Sequence, residues 1–452
     1  MKTLKNYKLV AGLGKTGMSC IQHYRQLDCP VVVTDSRENP PMMDLLQTQW
    51  PEVPVYTGGL NEDLLSDADE IILSPGIPLS TSFVQEAKRK NISVVGDVEV
   101  FCRIANAPII AITGSNAKST VSTLVAQMIT EAGKKVALGG NIGVPVLSLL
   151  EEAEPDFYVL ELSSFQLETI TSLKARVASV LNISPDHMDR YANEGEYITA
   201  KQLIYKNCQT AVVNRDDDLT KPVEQLSFDS IYGFTRHRPG PREFGLIREG
   251  KVVYLAYEEQ KLMPAAELKI RGSHNHENAL AALAIGYAAG LDMEAMLAAL
   301  KNFSGLPHRC QWINTIDSVD WINDSKGTNV GATEAAISGF GEASRKNIIL
   351  MLGGVGKKAD FSPLIQPIKK HVREIIFFGQ DAKLISDDLG DISIKHYCTS
   401  LSESVLLAKK IAEAGDTVLF SPACASFDMF ENFEDRGKQF ISLVNILSNK
   451  DD

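Results

Sequence analysis

Apolar runs of strand length alternate with segments of helical period along almost the whole chain. Residues 8–12 (KLVAG), 30–36 (PVVVTDS) and 70–76 (EIILSPG) read as strands separated by helices. A second group follows at 108–114 (PIIAITG), 135–141 (KVALGGN), 156–164 (DFYVLELSS), 176–184 (RVASVLNIS) and 210–216 (TAVVNRD). A third comprises 320–325 (DWINDS), 347–354 (NIILMLGG), 374–380 (EIIFFGQ) and 416–423 (DTVLFSPA). This alternation predicts α/β units on largely parallel sheets. Between the second and third groups the period changes. Residues 244–250 (FGLIREG) and 251–257 (KVVYLAY) predict a small antiparallel insert, and 276–290 and 293–303 predict helices. Boundaries near 97 and 306 divide the chain into 1–97, 98–306 and 307–452.

Length agrees with that division, since 452 residues correspond to roughly three domains at about 150 residues each. A hydrophobic content of 44% and a charged content of 23% are enough for cores that need no disulfide or metal. The net charge of −12 argues against broad binding to nucleic acid, which needs a basic face. It leaves room for an anionic small molecule held by a few local cations. Seven cysteines are scattered and form no Cys-x-x-Cys pair, the pattern of free thiols in a reducing compartment. The start of the chain is a poor signal peptide, and no apolar run approaches the ~18 residues of a membrane span. The expectation is a cytoplasmic protein without membrane insertion. No exposed apolar stripe is evident, so a monomer is expected.

Three groups of residues suggest chemistry. GLGKTG, residues 12–17, follows a strand and opens a helix, which lets backbone approach a phosphate at the helix N-terminus. Asp35 stands about where a ribose-binding acid belongs. A dinucleotide, another diphosphate nucleotide and a plain packing turn all satisfy that pattern. TGSNAKST, residues 113–120, repeats the strand–loop–helix layout, but Ile112 and Ala117 occupy the two glycine positions of a strict Walker A loop. What survives is Gly114, a lysine for phosphate (Lys118) and a hydroxyl for Mg²⁺ (Ser119). Ala117 is expected at an ordinary negative φ, because alanine at positive φ costs roughly 1 kcal/mol against glycine.

The third group lies at strand ends, where ligands of open α/β sheets bind. Glu161 ends a run too apolar for an exposed charge, and Asp186 and His187 follow another buried-looking strand. Carboxylate and imidazole together suit Mg²⁺ or Mn²⁺, although a lone His187 also reads as a cap or a surface group. Lys201 shares a helical face with Tyr197, Ile204 and Tyr205, so it either snorkels to water or is functional. The last third carries NDSKGTN (323–329), LGGVGKKADFSP (352–363) and SPACASFDMFENFEDRG (421–437), and His308 and Arg309 precede them. Lys326, Lys357, Lys358 and Arg309 together would make one basic cleft in an acidic protein.

Taken in order, TGSNAKST, ELSSFQLE, NISPDHMDR, HNHENALAA, GLPHRC, NDSKGTN and SPACASFDMFENFEDRG resemble the Mur ligase family over nearly the whole chain. The match is to those members that join D-glutamate to UDP-N-acetylmuramoyl-L-alanine, and it is weakest between about 216 and 265. The resemblance implies an α/β fold of three domains. They are an N-terminal Rossmann-like domain for the UDP-substrate, a central P-loop ATPase-like domain with a mostly parallel sheet plus the small insert, and a C-terminal Rossmann-like domain for the amino acid.

The resemblance also implies roles. Gly14, Lys15, Thr16, Asp35, Ser36, Ser74, Pro75 and Gly76 would hold the uridine diphosphate part, and Asn141, Ser163 and Gln166 the sugar and its L-alanyl arm. ATP would meet Gly114, Ser115, Asn116, Ala117, Lys118, Ser119, Thr120, Asn278, Arg309, Asp324 and Lys326. Two Mg²⁺ ions, with Mn²⁺ as a substitute, would be held by Ser119, Glu161, His187 and Lys201, the last as a CO₂-derived carbamate. Lys118, Glu161, His187 and Lys201 would be the catalytic set. D-glutamate would meet Thr328, Lys357, Ser426, Phe427 and Phe433. Val355 stands where relatives often carry an acid, and Phe427 where they often carry leucine. The competing readings are another amide ligase on this scaffold (the folylpolyglutamate type included), an NAD-dependent oxidoreductase built on GLGKTG, and a non-catalytic nucleotide-binding regulator.

Overall fold

The computed structural model describes residues 5–186, 190–223, 225–270, 272–342, 344–356 and 359–448. Its strands form three sheets. The first contains β1 (Tyr7–Ala11), β2 (Val31–Thr34), β3 (Val55–Tyr56), β4 (Ala68–Leu73) and β5 (Ser93–Val95), all parallel, in the order β3-β2-β1-β4-β5. The order reverses between β1 and β4, so a crevice opens at their carboxyl ends.

The second sheet contains β6 (Ile109–Thr113), β7 (Val136–Gly140), β8 (Phe157–Glu161), β9 (Val177–Val180), β10 (Thr210–Asn214) and β11 (Ser230–Phe234). It continues through β12 (Glu243–Glu249), β13 (Val252–Tyr257) and β14 (Gln260–Pro264), in the order β14-β13-β12-β11-β10-β9-β6-β8-β7. The small antiparallel piece expected after Asp216 is present, as the β12–β13–β14 hairpins. β12 pairs in parallel with β11, and the β12–β13–β14 hairpins extend the edge of the central sheet.

The third sheet is built from β15 (Gln311–Ile316), β16 (Val319–Asn323), β17 (Ile348–Gly353), β18 (Val372–Phe378), β19 (Ile394–Tyr397) and β20 (Thr417–Phe420). Its order is β15-β16-β20-β17-β18-β19, parallel except for β15. Side chains alternate between two apolar layers: Ile322, Leu350 and Phe377 face one, and Trp321, Met351 and Phe378 the other. Burial on both faces explains why these strands read as continuous apolar runs.

The helix Lys118–Glu131 buries Val121, Leu124, Val125, Met128 and Ile129 against the second sheet, the i, i+3, i+4, i+7, i+8 stripe of an amphipathic helix. Each such side chain is worth roughly 1.5–3 kcal/mol over leaving it exposed. At the expected boundary near 97, Val98, Val100 and Phe101 of the helix Asp97–Cys102 join one apolar cluster with Val10 and Ile72 of the first sheet and Ala111 and Leu160 of the second. The first two sheets are welded by a shared core. Among the described residues the third shares no apolar cluster with the second, and a cavity lies between them.

Gly17 shows how tightly the first helix sits. A Cβ there would come within 1.9 Å of the Gly12 carbonyl oxygen, so only glycine lets the helix Lys15–Gln26 approach the turn after β1. Gly17→Ala is expected to lower stability by about 1–3 kcal/mol, the range for overpacking. Denaturant unfolding checks this, and an unchanged midpoint would contradict it.

Candidate functional site

The loop between β6 and the helix Lys118–Glu131 is stitched to the segment after β9. Ser115 N donates to Asn182 O (2.9 Å) and Asn116 N to Asn182 Oδ1 (2.8 Å). The Ser115 hydroxyl donates to Ser184 O, lies 2.9 Å from Tyr197 Oη, and accepts from Ser184 N. With both ends anchored, the chain must turn sharply into the helix, and Ala117 supplies the turn at φ 64°, ψ −7°. The expected negative φ is thus corrected: loop anchoring outweighs a local preference of roughly 1 kcal/mol. Ala117→Gly is accordingly expected to leave turnover within about twofold and to stabilise the fold by at most about 1 kcal/mol. Thermal unfolding measures it, and a clear destabilisation would contradict the strain.

Lys118 folds back on its own loop, donating to Gly114 O (2.8 Å) and Ser115 O (3.0 Å). Burial pulls its ammonium below the ordinary lysine range. From the helix Glu194–Gln202, Lys201 reaches the same Gly114 carbonyl at 2.9 Å, and its Nζ lies 4.7 Å from the centre of the Tyr197 ring. Lys201 is only 2% exposed. Burial, then repulsion from Lys118, depresses it well below the usual range.

Glu161 closes β8 and is 2% exposed. Its Oε1 accepts from Asn141 Nδ2 at 2.7 Å, whereas the buried Oε2 has no hydrogen-bond partner among the described residues. A buried carboxylate oxygen left unpaired is costly unless a cation completes it. Oxygen donors from Glu161 and Ser119 fit a hard divalent ion. Among the described residues no three His, Cys, Asp or Glu side chains converge on one point. His187, expected as a further ligand, lies outside the described residues, as does Lys357.

Lys118, Ser119 and Glu161 line one cavity of about 760 Å³ between the second and third sheets, whereas Lys201 is not among its lining residues. The cavity takes Ser115 to Thr120 from the loop, with Asn141, Glu161 and Asn278 beside them. Across the cleft stand Arg309, Asp324, Lys326, Thr328 and Phe433. Arg309 Nη2 donates to the Ser119 hydroxyl at 2.7 Å, bridging the two halves. The helix Ser273–Ala288 also meets the helix Val330–Phe340 across the cleft, and a Cβ on Gly339 would come within 2.0 Å of His274 Nδ1. Lys326 Nζ lies 3.8 Å from the centre of the Phe433 ring. Burial, then repulsion from Arg309, brings Lys326 down to about 8, and burial lifts Asp324 to about 6.

The remaining expected residues lie elsewhere. Gly14, Lys15, Thr16, Asp35, Ser36, Ser74, Pro75 and Gly76 surround the carboxyl ends of β1, β2 and β4. Asp35 is fully engaged: Oδ2 accepts from Leu13 N and Arg37 Nη2, and Oδ1 from Arg37 N and Nε. Burial raises this carboxyl, but those hydrogen bonds outweigh it and hold it below the usual range. What faces solvent there is Arg37, whose side chain is 49% exposed. Ser163 and Gln166 form a capping box at the helix Ser164–Leu167. In the loop after β20, Ser426 is buried whereas Phe427 is 73% exposed. Val355 exchanges two main-chain hydrogen bonds with Ala425, so this position serves the structure through its backbone whatever its side chain.

Sequence reading missed Arg37 and Arg436. Arg436 is fully buried and donates to Ser325 Oγ, Ser325 O and Cys424 O, tying the loops after β16 and β20 together. A signal existed: Phe433, Arg436, Phe440 and Val444 share one helical face, and a cation in that apolar row is out of place.

The chain is similar to known proteins along nearly its whole length. Residues 6–96 match the family model for the Mur ligase MurD-like N-terminal domain, 112–286 the Mur ligase middle domain, and 308–424 the Mur ligase glutamate ligase domain. The UDP-N-acetylmuramoylalanine–D-glutamate ligase of Pseudomonas fluorescens (strain Pf0-1) is 48% identical over 443 residues, 98% of each chain. The enzyme of the same name from Pseudomonas aeruginosa is 48% identical over 445 residues, again 98% of each chain. A solved UDP-N-acetylmuramate-alanine ligase from Thermotoga maritima shares the fold, with a TM-score of 0.60 at 19% identity over 97% of this chain and 99% of that one.

Proposed function

Because the chain belongs to the Mur ligase family, we propose that it joins D-glutamate to UDP-N-acetylmuramoyl-L-alanine at the expense of ATP, a step of peptidoglycan synthesis. The observation that carries this reading is the convergence of Lys118, the unpaired oxygen of Glu161 and the cations Arg309 and Lys326 in one cavity. The division of labour follows the sheets: 1–97 for the UDP-substrate, 98–306 for ATP, and 307–452 for the amino acid. A monomer in the cytoplasm completes the reading.

A carboxylate is a poor acylating agent. Its oxygen attacks the γ-phosphorus of ATP, ADP leaves, and the D-glutamate amine then attacks the acyl phosphate. The tetrahedral intermediate expels phosphate, and the amine gives up its proton. Carboxylate and triphosphate repel each other, so the site must bring cations to them. Lys118 would exchange its loop carbonyls for the β- and γ-phosphates. Arg309 would leave Ser119 for the nucleotide, with Asn278, Asp324 and Lys326 around it. Bound Mg²⁺ screens the phosphates and polarises the transferred group; Glu161, Ser119, His187 and a carbamate on Lys201 would hold it. That carbamate forms when the neutral Lys201 amine adds to the carbon of CO₂ and releases one proton. Thr328, Lys357, Ser426, Phe427 and Phe433 would receive D-glutamate, with charge-assisted bonds to its carboxylates.

Phosphate release measured with each component omitted in turn tests the whole. Release requiring UDP-N-acetylmuramoyl-L-alanine, D-glutamate and ATP together is expected. Its absence with all three present would overturn the assignment.

A further inference from the structure

The turn after β4 projects into the crevice where the first sheet reverses its order, yet it is held by a side chain that comes from the second sheet's segment. Arg190 Nη1 donates to Pro75 O and Nη2 to Ile77 O, each at 3.1 Å. The guanidinium carbon lies over the Phe165 ring, 4.1 Å from its centre. Phe165 in turn stacks on Tyr191, at 5.9 Å between ring centres. A planar fork over an aromatic face, bonded to two carbonyls of one turn, is an arrangement that arginine makes and lysine cannot.

The consequence falls on Gly76. Across a planar trans peptide the carbonyl of Pro75 and the N–H of Gly76 point in opposite directions. With the Pro75 carbonyl drawn to Arg190, the Gly76 N–H is turned away from it. Among the described residues that N–H has no acceptor, and a Cβ on Gly76 would meet nothing within 4 Å. An amide donor without an acceptor among the described residues therefore lies on an exposed residue of the turn at the switch point of the sheet, beside Ser74, whose hydroxyl is tied to Gly12 O at 3.1 Å.

We propose that Arg190 is a positioning residue that aims the Gly76 N–H at the diphosphate of the UDP-substrate. This rests on the proposed role of residues 74–76 in holding that diphosphate. In this role Arg190 acts through the turn, donating two of its N–H groups to the turn's carbonyls.

Calorimetric titration of the full-length chain with UDP-N-acetylmuramoyl-L-alanine tests it, beside Arg190→Met, Arg190→Lys, Gly76→Pro (which removes the N–H) and the double variant. Arg190→Met and Arg190→Lys are expected to weaken binding about tenfold, the worth of the one hydrogen bond from the Gly76 N–H to the charged diphosphate that is then misdirected. Binding of a non-hydrolysable ATP analogue should stay within about twofold, and the unfolding midpoint near that of the parent. In the Gly76→Pro background Arg190→Met should add little, since both changes remove the same donor. Full affinity in Arg190→Lys, or additive losses in the double variant, would overturn the proposal. So would equal weakening of both ligands. A parent chain that binds neither the UDP-substrate nor UDP would instead overturn the reading on which it rests.

Discussion

Lys201→Ala is expected to lose about a thousandfold or more in kcat, roughly 4 kcal/mol of transition-state stabilisation, and to regain part of it with formate or acetate. The argument is local. Lys201 is buried, its ammonium donates to a carbonyl that Lys118 also uses, and its pKa is depressed by burial and by that neighbour. A purely structural lysine is better placed as a charged group near water. A neutral amine is the form that adds CO₂, and the resulting anion would answer the positive charge of Lys118 and a metal ion. Truncation removes the anion and leaves room for a small carboxylate. The sign of the pH dependence follows: acidification protonates the amine, so the carbamate and the activity fall on the acid side, and added bicarbonate should restore them. Steady-state rates with and without formate measure this. Undiminished turnover of Lys201→Ala would remove the carbamate from the mechanism.

Glu161→Gln is expected to lower kcat by about 10²–10³-fold and to shift the metal dependence to much higher concentration, as losing a carboxylate ligand would. Glutamine keeps the shape and the acceptor for Asn141 but cannot supply the second anionic oxygen. Asn141→Ala should give a milder version, about 10–100-fold, because it loosens the orientation of Glu161 without removing its charge. Rates measured across a Mg²⁺ titration separate the two variants. If Glu161→Gln kept the parent's rate and metal dependence, the unpaired Oε2 would need another explanation.

Much of this site is legible before any coordinates. Apolar runs locate β6, β8, β9, β17, β18 and β20, because a strand buried on both faces has little polar vocabulary left. Short edge strands such as β19, with Ile394 and Tyr397 exposed, carry no comparable pattern. Their hydrogen bonds come from a neighbour that local sequence does not contain. The hairpins after β11 were legible as antiparallel, but their attachment to the central sheet is set by the β11–β12 pairing.

The chain's own text therefore determined the α/β class, the strand-end loops and the identity of the charged groups gathered there, since residue type and spacing are local properties. Tertiary structure alone decided how those groups are used. Ala117 takes a positive φ because Asn182 and Ser184 fix the loop around it. Asp35 accepts from Leu13 and Arg37, so the acid expected for a ribose also braces an arginine. Arg190 and Arg436 act on loops that are distant in sequence. In each case the deciding partner lies on another element, and its distance is set only when the sheets pack.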